Sequence, residues 1–150
     1  MKNDHDIKAL NDLIHATLDS ADGYAEAAKH ARSDQLVLLF QSIATERRAA
    51  AATLQQCVRS LGGKPDDDGT VLAAAHRMIV GLRTSITLAD NKAVVHEVER
   101  DEDHIRSKFE HARKDGMISP HTQIIIADVY ASVRNGHDQM RKIKQTLHAA

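Results

Sequence analysis

The sequence predicts an all-α protein, a four-helix bundle with an additional crossover helix, on three observations. Apolar residues recur at spacings of three and four and never settle into the alternation of a strand. Two prolines and seven glycines in 150 residues leave few breaks, and most of these gather at two joints. The four aromatic residues, Tyr24, Phe40, Phe109 and Tyr130, fall one in each of four long segments. With 42% hydrophobic residues, the chain 1–150 is sized for a single domain around a single core.

The first segment, 5–31, carries its stripe at Ile7, Leu10, Ile14, Thr17, Ala21, Tyr24 and Ala28. Ser33 or Asp34 then caps the second, 34–61, with Leu36, Leu39, Phe40, Ile43, Ala50, Leu54, Cys57 and Leu61. Leu61-Gly-Gly-Lys-Pro-Asp-Asp-Asp-Gly69 is a joint, rich in breakers and acidic groups. The third segment, 70–89, carries Val71, Ala75, Ile79, Leu82 and Ile86, is shorter and lacks an aromatic residue, so it is assigned as the crossover. The fourth, 91–114, opens at Asp90-Asn91 and carries Val94, Val98, Ile105, Phe109 and Ala112. Asp115-Gly-Met-Ile-Ser-Pro120 is the second joint, with Gly116 as a helix stop and Ser119-Pro120 as N-cap and first helical residue. The fifth, 120–147, carries Ile125, Val129, Val133, Met140, Ile143 and Leu147. Four long helices with one crossover between the second and the fourth segment amount to ferritin-like connectivity.

Lys plus Arg number 20 and Asp plus Glu 21, so the net charge of -1 gives no electrostatic footprint for nucleic acid. The longest apolar runs, Leu36-Val-Leu-Leu-Phe40 and Ile124-Ile-Ile-Ala127, fall far below the roughly 18 residues that cross a bilayer, so no membrane partner is expected. The opening residues lack a signal-peptide pattern and the one cysteine, Cys57, has no internal partner, which together predict a cytoplasmic setting. Cys57 lies on an apolar stripe without neighbouring bases and reads as an inert core thiol.

Several stretches resemble a known family: Leu10-Asn-Asp-Leu-Ile14, Asp22-Gly-Tyr-Ala-Glu-Ala-Ala28, Ala74-Ala-His-Arg77, Glu97-Val-Glu-Arg-Asp-Glu-Asp103 and Asn135-Gly-His-Asp138. Together they resemble a mostly proteobacterial family of four-helix-bundle proteins of unknown function in the ferritin-like superfamily. The resemblance spans essentially the whole chain. It implies the fold, a bacterial cytoplasmic setting and no established activity. The chain departs from the family at Met78-Ile-Val-Gly81, where a tryptophan is usual, and at Asp101-Glu-Asp103, where the family has Gly-Glu-Asp.

Di-metal sites in such bundles need Glu-x-x-His on two helices and a further Glu on each of the others. No Glu here is followed by His three residues later, and the nearest forms, Asp12-x-x-His15 and Asp101-x-x-His104, read as surface pairs. A subtler set remains. Glu46 lies about 18 Å and Glu102 about 17 Å from the starts of their helices, which places them at one level if the crossover runs the length of the bundle. Glu102 falls on the stripe between Val98 and Ile105, Glu46 flanks its own between Ile43 and Ala50, and His137 lies near the same depth. Glu26 sits about 10 Å above that level. Buried carboxylates require partners. A metal such as iron or manganese on Glu46, Glu102 and His137 would serve, as would arginine, drawn from Arg47, Arg48, Arg100, Arg106 or Arg134, or a tyrosine hydroxyl. Of the ten histidines, no two lie three or four residues apart, and His76 and His137 are the candidates for buried roles.

Two functions follow as expectations. The first is a non-catalytic bundle acting through its surface, in a stress setting. The alternative is a metal-binding protein or oxidoreductase on the mid-bundle carboxylates. Either could form a homodimer through a helix face such as the alanine-rich stretch from Ala44 to Ala52.

Overall fold

A computed structural model describes residues 3–67 and 91–149. Among them are four helices and no strand: α1 (Asp4–His30), α2 (Asp34–Ser60), α3 (Asn91–Arg113) and α4 (Pro120–Ala149). The expected crossover segment, 70–89, lies outside the described residues. None of these helices is long and apolar enough to cross a membrane.

The helix ends follow local chemistry. Ser33 Oγ accepts from the Leu36 amide at 3.4 Å to open α2. At its other end Gly62 takes φ 85°, a left-handed value that costs glycine nothing. This lets Gly62 N–H reach the Arg59 carbonyl and Gly63 N–H the Val58 carbonyl, both at 3.0 Å, satisfying two of the last free acceptors. The stop at Gly116 works differently from the expectation. Helix α3 ends at Arg113, Gly116 is not left-handed, and the chain turns where the Asp115 carboxylate accepts from the Met117 amide at 2.9 Å. Pro120 opens α4, where its missing N–H is not needed.

Each helix packs against two others: α1 lies beside α2 and α3, and α4 beside α3 and α2. Helix directions follow from which residues meet. His5 at the start of α1 meets Asp115 beyond the end of α3, and Tyr24 near the end of α1 meets Glu102 in α3, so these two are antiparallel. Arg47 meets Val133 and Gly136, and residues of both ends of α2 pack with opposite ends of α4. Consequently α2 and α3 run in the same direction, and α2 ends at the opposite end of the bundle from the start of α3.

The core falls into two clusters. One, at the end holding the start of α1, contains Leu10, Ile14, Leu54, Ile105, Phe109, Ile126 and Val133. The other, at the far end, contains Tyr24, Phe40, Ile43, Val98 and Met140. The aromatic residues pair within these halves: Tyr24 with Phe40 at 5.8 Å between centroids, and Phe109 stacked on Tyr130 at 5.6 Å. Each buried Leu or Ile contributes about 1.5–3 kcal/mol. Between the halves lies a polar layer.

Candidate functional site

Every helix supplies part of that layer. Ser20 and Tyr24 stand one turn apart on α1, Arg47 follows Ile43 and precedes Ala50 on the buried stripe of α2, and Glu102 occupies the matching stripe of α3. Arg47 and Glu102 are each only 1% exposed. Their separation is 2.7 Å, from Arg47 Nη2 to Glu102 Oε1. The same oxygen accepts the Tyr24 hydroxyl at 2.5 Å. Arg47 also donates from Nη1 to Ser20 Oγ at 2.6 Å and from Nη2 to the Val133 carbonyl at 3.2 Å, while its guanidinium lies 5.5 Å from the Tyr24 ring centroid. Desolvating two charges is costly, and this geometry offsets it by giving each charge several partners.

The fit depends on Gly136. A Cβ at that position would stand 2.7 Å from Arg47 Nη2 and 3.5 Å from Ile43 Cγ2, so the absence of a side chain makes room for the guanidinium. Burial, reinforced by the Glu102 charge, pushes the Tyr24 hydroxyl well above its usual range, against the opposing influence of Arg47. Tyr24 therefore remains a donor at any physiological pH.

The second carboxylate oxygen is different. Glu102 Oε2 and His137 Nδ1 are both buried without a hydrogen-bond partner among the described residues, and they face each other at 3.9 Å. His137 Nε2 lies 3.3 Å from Arg106 Nη1. Arginine has only donors, so Nε2 is the acceptor and a neutral ring carries its proton on Nδ1, toward Glu102. The gap is one that a bridging water would span.

Of the sequence-predicted set, Glu102 and His137 are thus brought together. Glu46 is not. It sits one residue before Arg47, turned about 100° round α2, half-buried and without a hydrogen bond or ion pair among the described residues. Glu26 pairs with Lys29 at 3.0 Å and His30 at 3.8 Å, away from the layer. His15 pairs with Asp66 at 2.6 Å, and Asp12, Asp101 and His104 are exposed. His76 lies outside the described residues. Among those described, no three His, Cys, Asp or Glu side chains gather as a metal-holding group. Of the alanine-rich stretch, Ala44, Ala50 and Ala51 are buried inside the bundle, which leaves Ala49 and Ala52 facing outward.

Sequence reasoning passed over a second polar cluster. Asp6, 4% exposed, accepts from the Ser119 amide at 3.1 Å, the Ser119 hydroxyl at 2.6 Å and the Thr122 hydroxyl at 2.8 Å, so α1 caps α4. Burial alone would raise its carboxyl, but the two hydroxyls and the amide together hold it below the usual range. Nearby Cys57 is 3% exposed, and burial and the Asp6 charge push its thiol up, as expected of an inert core thiol.

A family model described as a domain of unknown function, DUF2383, matches residues 5–115. The chain belongs to that family. The matched span includes Ser20, Tyr24, Arg47 and Glu102, whereas the α4 contributions from Val133, Gly136 and His137 lie beyond it. No curated protein matches the chain.

Proposed function

We propose that this protein is a non-catalytic, ferritin-like helical bundle whose mid-bundle layer is closed by its own side chains, independent of metal, and that it acts through its surface in a bacterial cytoplasm. The observation that carries this reading is the double occupation of Glu102 Oε1 by the Arg47 guanidinium and the Tyr24 hydroxyl. A guanidinium cannot be deprotonated in a protein, so the positive charge that a metal would supply to this carboxylate is already present. A cation placed beside it would meet a like charge at close range in a poorly screened interior. The His137 tautomer supports the same conclusion, since a protonated Nδ1 is no ligand. The shared direction of α2 and α3 supports ferritin-like connectivity, in which one long connection joins the second and third bundle helices. The buried, unreactive Cys57 is consistent with a reducing compartment.

A second reading, a metal site on Glu46, Glu102 and His137, draws on one observation: the two buried atoms at 3.9 Å that lack partners. A metal there would recruit Glu102 Oε2 and a deprotonated His137 Nδ1, with Glu46 turning inward. Anaerobic loading of the untagged full chain with iron or manganese, followed by desalting and elemental analysis, separates the two. Well under one metal per chain, with no change in the Glu102→Gln variant, is expected. Stoichiometric metal that is lost in Glu102→Gln and His137→Ala would overturn the proposal.

A further inference from the structure

We infer that the cleft between α1 and α3, at the end of the bundle holding the start of α1, binds a small organic monoanion with a short apolar body. This inference is independent of the metal question, since the cleft lies in the half of the bundle away from Tyr24 and its neighbours.

The cleft originates in small residues. Ala9 on α1 and Ala112 on α3 leave the antiparallel helices unfilled between them, and Leu13, 2% exposed, lies behind. The resulting volume is about 330 Å³. That is at the small end of the range for ligand pockets. Its floor is apolar, and its rim is charged.

Two ammonium groups line it from opposite walls, Lys8 from α1 and Lys108 from α3. Neither has an ion-pair partner among the described residues, although Asp12 stands four residues after Lys8 at the same rim. The other acid at the rim, Asp115, is already engaged. It binds His5 Nε2 at 2.8 Å and the Met117 amide at 2.9 Å. Those two bonds, with the amide the stronger influence, hold its carboxyl below the usual range, so it does not serve the lysines as a neutral donor.

Charge then selects the ligand. Two lysines facing one cleft repel weakly in water, and an anion between them converts that repulsion into two charge-assisted bonds. Asp12 and Asp115 limit the attraction to a single negative charge, because a polyanion would approach both carboxylates. The apolar floor selects against inorganic anions, which gain nothing from Ala9, Leu13 and Ala112. His5, fixed by Asp115, and His111 complete the rim. A short-chain carboxylate meets every condition.

The test is an amide chemical-shift titration of the full chain with hexanoate, beside hexanol as the body without the charge and inorganic phosphate as the charge without the body. Hexanoate is expected to give saturable shifts confined to residues 5–13 and 108–115, and neither control to saturate them over the same concentrations. The Lys8→Gln/Lys108→Gln double variant, altered only at exposed positions, is expected to bind about tenfold more weakly or worse. Ala9→Met, which fills the floor and leaves the charges in place, is expected to abolish the shifts. Three results would each overturn the inference: no saturation with hexanoate, equal affinity in the double lysine variant, or phosphate binding as tightly as hexanoate.

Discussion

Replacing Arg47 with methionine tests the polar layer most directly. The substitution preserves much of the side-chain length and removes the guanidinium. Glu102, 1% exposed, would keep the Tyr24 hydroxyl but lose its counter-charge, and the Ser20 hydroxyl and Val133 carbonyl would lose a donor. Stranding one member of a buried pair costs about 3–5 kcal/mol. At about 2–4 °C per kcal/mol for a chain of this length, the midpoint should fall by about 6–20 °C. Urea denaturation followed by circular dichroism gives the free energy, and an unchanged slope would show that the same surface is exposed on unfolding. The triple variant Arg47→Met/Glu102→Leu/Tyr24→Phe removes every group left stranded by the single change. It should recover most of the loss, because apolar side chains of similar volume replace buried pairs with little cost. A cost below about 1 kcal/mol for Arg47→Met, or a triple variant as unstable as the single one, would refute the account of Glu102 as a charge held by Arg47.

Gly136→Ala should destabilise by about 2 kcal/mol despite the gain of about 1 kcal/mol that alanine brings to a helix, because its Cβ would displace a guanidinium pinned by three partners. Gly116→Ala, where nothing lies within 4 Å, is the control for the same melts. Asp6→Asn should cost about 1–3 kcal/mol near neutral pH. Since the folded carboxyl is held below its unfolded value, its contribution is complete above the ordinary carboxylate range and disappears as pH falls through the folded value, so the two proteins should converge below about pH 4. Long-range nitrogen–proton NMR at neutral imidazole should find the His137 proton on Nδ1, and a proton on Nε2 instead would remove the Arg106 bond from the description.

The helices and most of their caps were legible because periodicity, Ser33 and Ser119-Pro120 act locally. The depth of Glu102 was legible as well, since helical rise converts residue counts into levels, and its contact with Arg47 lies at the level expected for Glu46. What failed was the face. One residue along α2 turns the side chain by about 100°, and the stripe Ile43, Arg47, Ala50, Leu54 contains the arginine rather than the glutamate. Reading only apolar residues onto the stripe skipped a position that was on it. Asp6, four residues before Leu10, was missed for the same reason, and Gly136, between Val133 and Met140, marked a close approach that only the partner helix could explain. A polar or glycine residue at a stripe position was the available signal in all three. Gly116 misled in the opposite sense, because Asp115 turns the chain without it.

The division of the core into two halves also fixes how the helices are indexed along one another. Leucine, isoleucine and alanine surfaces are forgiving, and α2, with Ala49 to Ala52 at its middle, offers little relief to stop a neighbour from sliding by a turn of about 5.4 Å. Such a slip would leave oily contacts largely intact but would carry Arg47 away from Glu102 and bring some other residue opposite Gly136. Tyr24, Arg47, Glu102 and Gly136 therefore work like the teeth of a key, one cut on each rod, and only one alignment lets the lock turn.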